Sequence, residues 1–410
     1  MFLARLGASP SEAAELMAYN ENAFDLGALG RQMQFPLPDE PFVAFWQALV
    51  EECRTADTFA VLQKHLPQLC FPIREGISAT AGYRAATRQG LPPGAIPEAT
   101  GLELERSEEI EVVLHPSAAG RIPLLIARRR KDFVSLVRAL AKRNEPEPVL
   151  DSQGALMVSG YNNWSRIGEL RRRWEALPPG ARESATWGEE LARIKDRRDL
   201  YQDRFILLSD GPYSAVPARE LGLDDASWRE MSLVLRREHE CAHYLTRRLF
   251  GSMRNNVLDE LIADYAGMVG SAGRFRAAWF LRFLGIEEVP RPGHQPLAGA
   301  SAVPSTPESS PVHPTGRDRA SGRLDLYRGK PSLSDGAFRL LQLLIQAAAV
   351  NLERFDARRP AGPLSPQEST LAIAALASLR LNDLAATGAD AVLAGTVEEL
   401  RRRCQATQNR

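Results

Sequence analysis

Apolar positions recur at helical spacing along most of this chain, and at strand-like spacing in only a few short segments. Ser9-Pro10-Ser11-Glu12 opens a helix-like stretch. Phe42, Val43, Phe45, Trp46, Leu49 and Val50 mark a further helix, and Phe59 to Leu66 another. Leu91 to Thr100, with Pro92, Pro93 and Pro97, reads as a connection. The pattern then changes. Ile110, Val112 and Leu114 alternate, a turn-rich segment over residues 116–120 follows, and Ile122 to Ile126 is apolar throughout, which is a hairpin signal. Asp132 to Lys142 reads as an amphipathic helix and Ala155 to Val158 as a further strand. Helical patterns return near Trp164 to Ala176 and Thr186 to Arg197.

Phe205 to Leu208 is a short apolar strand that ends in Ser209-Asp210-Gly211-Pro212. A long helix is expected over about Ser227 to Leu249, with Asp224 or Asp225 near its start and Gly251 as its stop. Asn255 or Asn256 is placed to cap the next helix, about Val257 to Gly270, and another spans roughly Phe275 to Leu284. Val289 to Thr315 holds seven prolines among Gly, Ser, Thr and Ala without periodicity, and reads as a flexible loop, with a cleft-covering lid as the rival reading. Helices resume at Leu333 to Phe355 and Pro366 to Leu379. The whole is an α+β chain, mostly helical. The expected divisions are a helical region at 1–100, a mixed region with the hairpin at 101–198, a metal-binding core at 199–288, the proline-rich loop at 289–316 and a helical region at 317–410.

Composition narrows the function. The 410 residues are 44% hydrophobic and 25% charged, which is ordinary globular usage. Lys plus Arg equals Asp plus Glu at 51 each, so no global field favours nucleic acid or an anionic membrane. The basic runs Arg128 to Lys131 and Arg171 to Arg173 lie beside helical patterns and read as solvated faces. The N-terminus does not resemble a signal peptide, and no apolar stretch approaches the roughly 18 residues of a membrane span. Cys53, Cys70, Cys241 and Cys404 lack the spacing of a zinc knuckle or redox dithiol, so reduced thiols in a cytoplasmic protein are expected.

The residues that carry chemistry are Glu238-His239-Glu240-Cys241-Ala242-His243, which contain H-E-x-x-H. Histidines four apart on a helix stand one turn above each other, so both imidazoles reach one ion. Glu240 is then placed to take a proton from metal-bound water and return it to a leaving group. Val234, Cys241, Leu245 and Leu249 form an apolar stripe on another face, which directs the histidines toward a cleft. Sixteen residues separate His243 from Glu260, and Asp264 lies four further on the same face of the second helix. Catalytic zinc takes three protein ligands and one open position, so Glu260 is the candidate third ligand. Asp264 is the candidate partner for the outer nitrogen of His239.

H-E-x-x-H followed by E-x-x-x-D on the next helix resembles the gluzincins, the thermolysin-like clan of zinc metallopeptidases, over about residues 238–267. The resemblance implies a zincin-like core, Zn2+ on His239, His243 and Glu260, Asp264 behind the first histidine, Glu240 as general base, and a peptide or protein substrate. It also implies an edge strand before the active helix, to which substrate backbone adds, with Phe205 to Leu208 or Tyr213 to Val216 as candidates. The clan often uses a Tyr or His outside the motif to steady the oxyanion; Tyr327 is the first candidate, Tyr213 the second, and His294 and His313 rank lower.

Three other features have plainer explanations. Cys241 lies roughly 200° around the helix from His239, so it reads as core packing. Asn162-Asn163-Trp164-Ser165 reads as a turn and a helix cap, with a substrate role as the rival. His65 and His115 are isolated, and neither reads as a ligand. Two other functions stay open. Two histidines and a carboxylate also suit non-haem iron enzymes, and a non-enzymatic binding protein can keep such a metal for structure.

Overall fold

The computed structural model describes residue 3 and residues 6–27, 35–286 and 324–408. The protein is α+β and mostly helical, with one small mixed sheet. The N-terminal helices are α1 (Pro10–Tyr19), α2 (Val43–Cys53), α3 (Thr58–His65) and α4 (Ala81–Gln89). Ser9 opens α1 with a reciprocal capping box to Glu12. The hairpin pairs β1 (Ile110–His115) with β2 (Ile122–Ala127), antiparallel, before α5 (Arg130–Ala141). Strand β3 (Ala155–Asn162), α6 (Trp164–Ala176), α7 (Trp187–Ile194) and β4 (Gln202–Ser209) follow. The strand order is β1-β2-β4-β3, with β2 parallel to β4 and β3 antiparallel to β4.

This order explains the sequence pattern. β2 and β4 are interior strands, buried on both faces, and therefore read as unbroken apolar runs. Phe205, Leu207 and Leu125 face a core shared with α2, α3 and α5. Ile206, Leu208, Leu124 and Ile126 face the larger core shared with the C-terminal helices. One buried carboxylate ties the first face together: Asp203 accepts from Trp46 Nε1 at 2.9 Å, Asn163 Nδ2 at 2.6 Å and Arg166 Nη1 at 2.6 Å.

The second face carries the metal-motif helices. These are α8 (Asp225–Phe250) and α9 (Val257–Ala272), followed by α10 (Ala277–Leu284). Asp224 caps α8 by accepting from Ser227 N at 2.9 Å, and Gly251 ends it in the left-handed conformation at φ 72°. The cap of α9 differs from expectation. Asn256 stands at the cap with φ 51° but makes no side-chain cap bond. Instead the Asp259 carboxylate accepts from Asn255 N–H, while the Asn256 amide donates to Tyr19 O at 2.9 Å. Helices α11 (Asp335–Asp356), α12 (Pro366–Ala377), α13 (Leu381–Ala385) and α14 (Ala389–Gln408) complete the bundle. Among the described residues no helix is long and apolar enough to cross a membrane. None of the four cysteines forms a disulfide. The proline-rich segment, with His294 and His313, lies outside the described residues.

Helices α8 and α9 run antiparallel as a hairpin, and Gly267 and Gly270 let them approach closely, Gly267 against backbone. A Cβ at Gly267 would lie 2.7 Å from the Leu235 carbonyl oxygen, inside van der Waals contact with backbone. Gly267→Ala is therefore expected to push the helices apart and to cost about 1–3 kcal/mol of stability. Urea unfolding checks this, read as a lowered midpoint at unchanged slope.

Candidate metal centre

On α8, Leu235, His239 and His243 are spaced four apart and share one face. On α9, Glu260, Asp264 and Gly267 share another. With the helices antiparallel and in contact, the rungs match: Leu235 meets Gly267, His239 meets Asp264, and His243 meets Glu260. The Nε2 atoms of His239 and His243 stand 3.1 Å apart. Glu260 places Oε2 at 3.8 Å from His239 Nε2 and Oε1 at 3.7 Å from His243 Nε2. Ligand atoms at 2.0–2.1 Å from one tetrahedral ion stand roughly 3.3–3.4 Å from each other, and these separations bracket that value. Two imidazoles, one carboxylate and an open side fit an ion of zinc's size and donor preference.

Behind the candidate ligands, hydrogen-bonded support stands at His239. Its Nδ1 lies 2.8 Å from Asp264 Oδ1, which accepts a hydrogen bond there, and Nε2 faces the shared point. Asp264 is fully buried. The Tyr213 hydroxyl donates to the same Asp264 oxygen and lies 3.0 Å from His239 Nδ1. The Tyr213 hydroxyl thus lies on the Nδ1 side of His239, away from Nε2, while the residue is also among the wall residues of the cavity that opens on the cluster.

Tyr213 is held there by a residue the sequence did not single out. Arg236, one turn before His239 and 3% exposed, donates to Ser209 O at 2.9 Å, Gly211 O at 2.5 Å and Pro212 O at 2.6 Å. Its guanidinium also lies over the Tyr213 ring, 5.7 Å from the centroid. These bonds pin the turn over Tyr213–Ala215, in which Ser214 and Ala215 adopt left-handed backbone at φ 55° and 58°. The expected strand at Tyr213 to Val216 is therefore a tight turn. Phe205 to Leu208 is a strand, but an interior one. The free edge of the sheet next to the site is β3.

Electrostatics at the site follow from burial. Burial disfavours a charged imidazole at His239, but the Asp264 hydrogen bond and the charges of Asp264, Glu260 and Glu240 outweigh it and raise it to about 9. Burial, then the adjacent His239, hold His243 well below the ordinary histidine range. Burial raises the Glu240 carboxyl to about 7, His239 opposing and Glu260 adding to the rise.

A cavity of about 350 Å³ opens on the cluster. Its walls include Gly154 to Met157 at the start of β3, Glu240 beside the ligands, and Tyr327 from the segment before α11. Tyr327 is thus on the same cavity as the candidate ligands, and its backbone carbonyl accepts from the Tyr19 hydroxyl at 2.5 Å. The cluster over Asn162 to Ser165 does structural work: Asn163 caps α6 and bonds Asp203, Trp164 Nε1 donates to Thr87 O at 2.9 Å, and Ser165 Oγ lies 2.9 Å from His65 Nδ1.

His115 is not isolated. It joins Glu238 and Cys241 in a second group whose ligand atoms lie within 4.8 Å of one another. Glu238 is already paired with Arg237 at 2.8 Å, and a guanidinium on the one carboxylate of the group disfavours a further cation. Cys241 is 6% exposed in the core, as its helical position implies.

A family of unknown function, DUF7005, matches residues 1–294 and 314–388, and the chain belongs to that family. No curated protein and no solved structure matches the chain significantly.

Two sets of substitutions separate ligands from supports. If the cluster holds zinc, His239→Ala, His243→Ala and Glu260→Ala are each expected to abolish stoichiometric binding. Asp264→Asn and Tyr213→Phe are expected to keep the site but weaken it, by about 10- to 100-fold for Asp264. Competition against a chromophoric chelator measures both.

Proposed function

We propose that the protein is a zinc-dependent metallohydrolase, and that its substrate is a peptide. The observation that carries the proposal is the convergence of His239, His243 and Glu260 on one point, with Asp264 behind His239 and Glu240 beside the cluster on an open cavity. This arrangement supports a zincin-like core of the gluzincin kind.

The chain's own residues have distinct tasks in that reading. His239, His243 and Glu260 would hold the ion, and its open side faces the cavity. Zinc, when bound, supplies a Lewis acid that polarises a carbonyl and lowers the pKa of water. Asp264 and Tyr213 hold the His239 ring in the tautomer that binds. Glu240 accepts the proton of the attacking water and delivers it to the leaving amine. Its apolar burial favours such an exchange, since a carboxyl raised toward neutrality takes up and releases a proton with little cost. The Tyr327 side chain is the candidate for steadying the oxyanion, supported by its place on the cavity wall.

A peptide substrate is favoured by β3. It is an edge strand, antiparallel to β4, and its first residues line the metal cavity. An extended peptide can add to that edge by backbone hydrogen bonds and pass its carbonyl beside the ion.

Glu240→Gln tests the reading. The variant is expected to bind zinc as the wild type does and to lose about 100- to 10,000-fold in turnover of a peptide library followed by mass spectrometry. Undiminished turnover in the variant would show that Glu240 is not the base. Stoichiometric iron in protein purified without added metal, with oxygen-dependent modification of the peptides, would replace hydrolysis by an oxygenase reaction.

A further inference from the structure

We infer that the cleft selects peptides with acidic side chains on one side of the bond that is cut, through a basic subsite built from Arg247, Arg254 and Arg143. The inference rests on the peptidase reading of the metal site. A second cavity, about 660 Å³, adjoins the metal cavity; the two share Leu156, Met157 and Met253 as wall residues. Strand β3 runs through both, with Ala155 on the metal cavity and Val158 to Asn162 on the second. Whatever extends along the β3 edge from the metal therefore enters the second cavity.

The charge of that cavity is one-sided. Arg143, Arg247 and Arg254 line it, and no Asp or Glu stands among its described lining residues. The nearby carboxylates are already engaged. Glu40 accepts from Arg204 Nη1 at 2.7 and 2.8 Å and from the Tyr244 hydroxyl at 2.8 Å. Glu145 accepts from Gly76 N at 2.8 Å and Ser78 N at 3.0 Å. Arg247 is half-buried, and its Nη1 lies 3.9 Å from the thioether sulfur of Met253, a weak acceptor. Burial, with Arg204 and Arg254 close by, disfavours its charge. Three cations gathered in a concave site on a chain with no net charge are an electrostatic cost that an anionic ligand relieves.

The geometry also gives a direction. A strand adding to β3 antiparallel, the commoner pairing, arrives through the basic cavity and reaches the metal with its C-terminal end. The bulge between Ser159 and Tyr161, with Gly160 at φ 74°, ends the regular edge. At one substrate residue per strand residue, the acidic side chains belong roughly three to five positions N-terminal to the bond cut. A peptide is favoured over a nucleic acid because an unpaired strand edge lines the same cavity.

The test uses full-length Glu240→Gln protein loaded with zinc, and two labelled peptides that differ only in Glu against Gln at those positions. Fluorescence polarisation is expected to show the acidic peptide bound roughly five- to tenfold more tightly at low salt, with the difference shrinking as salt rises. Arg247→Gln should collapse the difference. Arg254→Gln, at an exposed position, should reduce it if the Arg247 variant does not fold. Equal binding of the two peptides, or binding of neither, overturns the subsite, as does displacement of the acidic peptide by an oligonucleotide at lower concentration than by unlabelled peptide. Wild-type cleavage separates this from the underlying reading. Equal kcat/KM on both peptides removes the subsite and leaves the peptidase. Selective acidic binding without cleavage keeps the subsite and removes the peptidase.

Discussion

The contact between α8 and α9 is the constraint on which the rest of the site depends. Ligand atoms from two helices must come within a few ångströms of one point, and only a close, antiparallel, in-register pair of helices does that. Gly267 permits the approach at one end, where any side chain would meet the Leu235 carbonyl. The same register brings Asp264 against His239 and Glu260 against His243. A helix pair shifted by one residue would turn each of these groups by about 100° and disperse the site.

Burial then decides what the cluster can do. His239, His243 and Asp264 are almost wholly removed from water, and Glu260 is half-buried. Unbalanced carboxylates in such a place are costly. The protein offsets part of this with the His239–Asp264 pair and the Tyr213 hydroxyl, and the donors that remain converge where a divalent cation would complete the balance. Glu240 takes no part in that pairing and is pushed toward neutrality by its surroundings. What distinguishes the three acidic residues is where each sits, since their intrinsic chemistry is almost the same.

The sheet supplies the approach to the centre. Its interior strands, β2 and β4, are buried on both faces, and of the two edge strands, β1 and β3, β3 borders the cavity at the cluster. Arg236 links the two halves of the cleft. Its bonds to the carbonyls of Ser209, Gly211 and Pro212 fix the turn that delivers Tyr213 to the metal helices, and Gly154 leaves room for its guanidinium at the start of β3. The Ser9 box, the Gly251 stop, the hairpin and the long helices follow local rules and were visible in the chain. Arg236 was not, because a buried arginine bonded to distant carbonyls looks in sequence like any other charged residue on a helix.

What the sequence determined by itself was the set of potential ligands and their local geometry. His239 and His243 share a face because a helix turns 100° per residue, and Glu260 and Asp264 share one for the same reason. Alternation of apolar positions likewise marked β1, and short unbroken apolar runs marked β2 and β4. Tertiary structure alone decided which strand became the edge, that the Tyr213 hydroxyl meets Asp264 behind His239, and that His115 meets Glu238. It also decided that Arg143 lines the same hollow as Arg247 and Arg254, which lie far along the chain from it. These facts depend on strand order and helix register, which are set by the packing of whole surfaces and leave no periodic mark on any one segment.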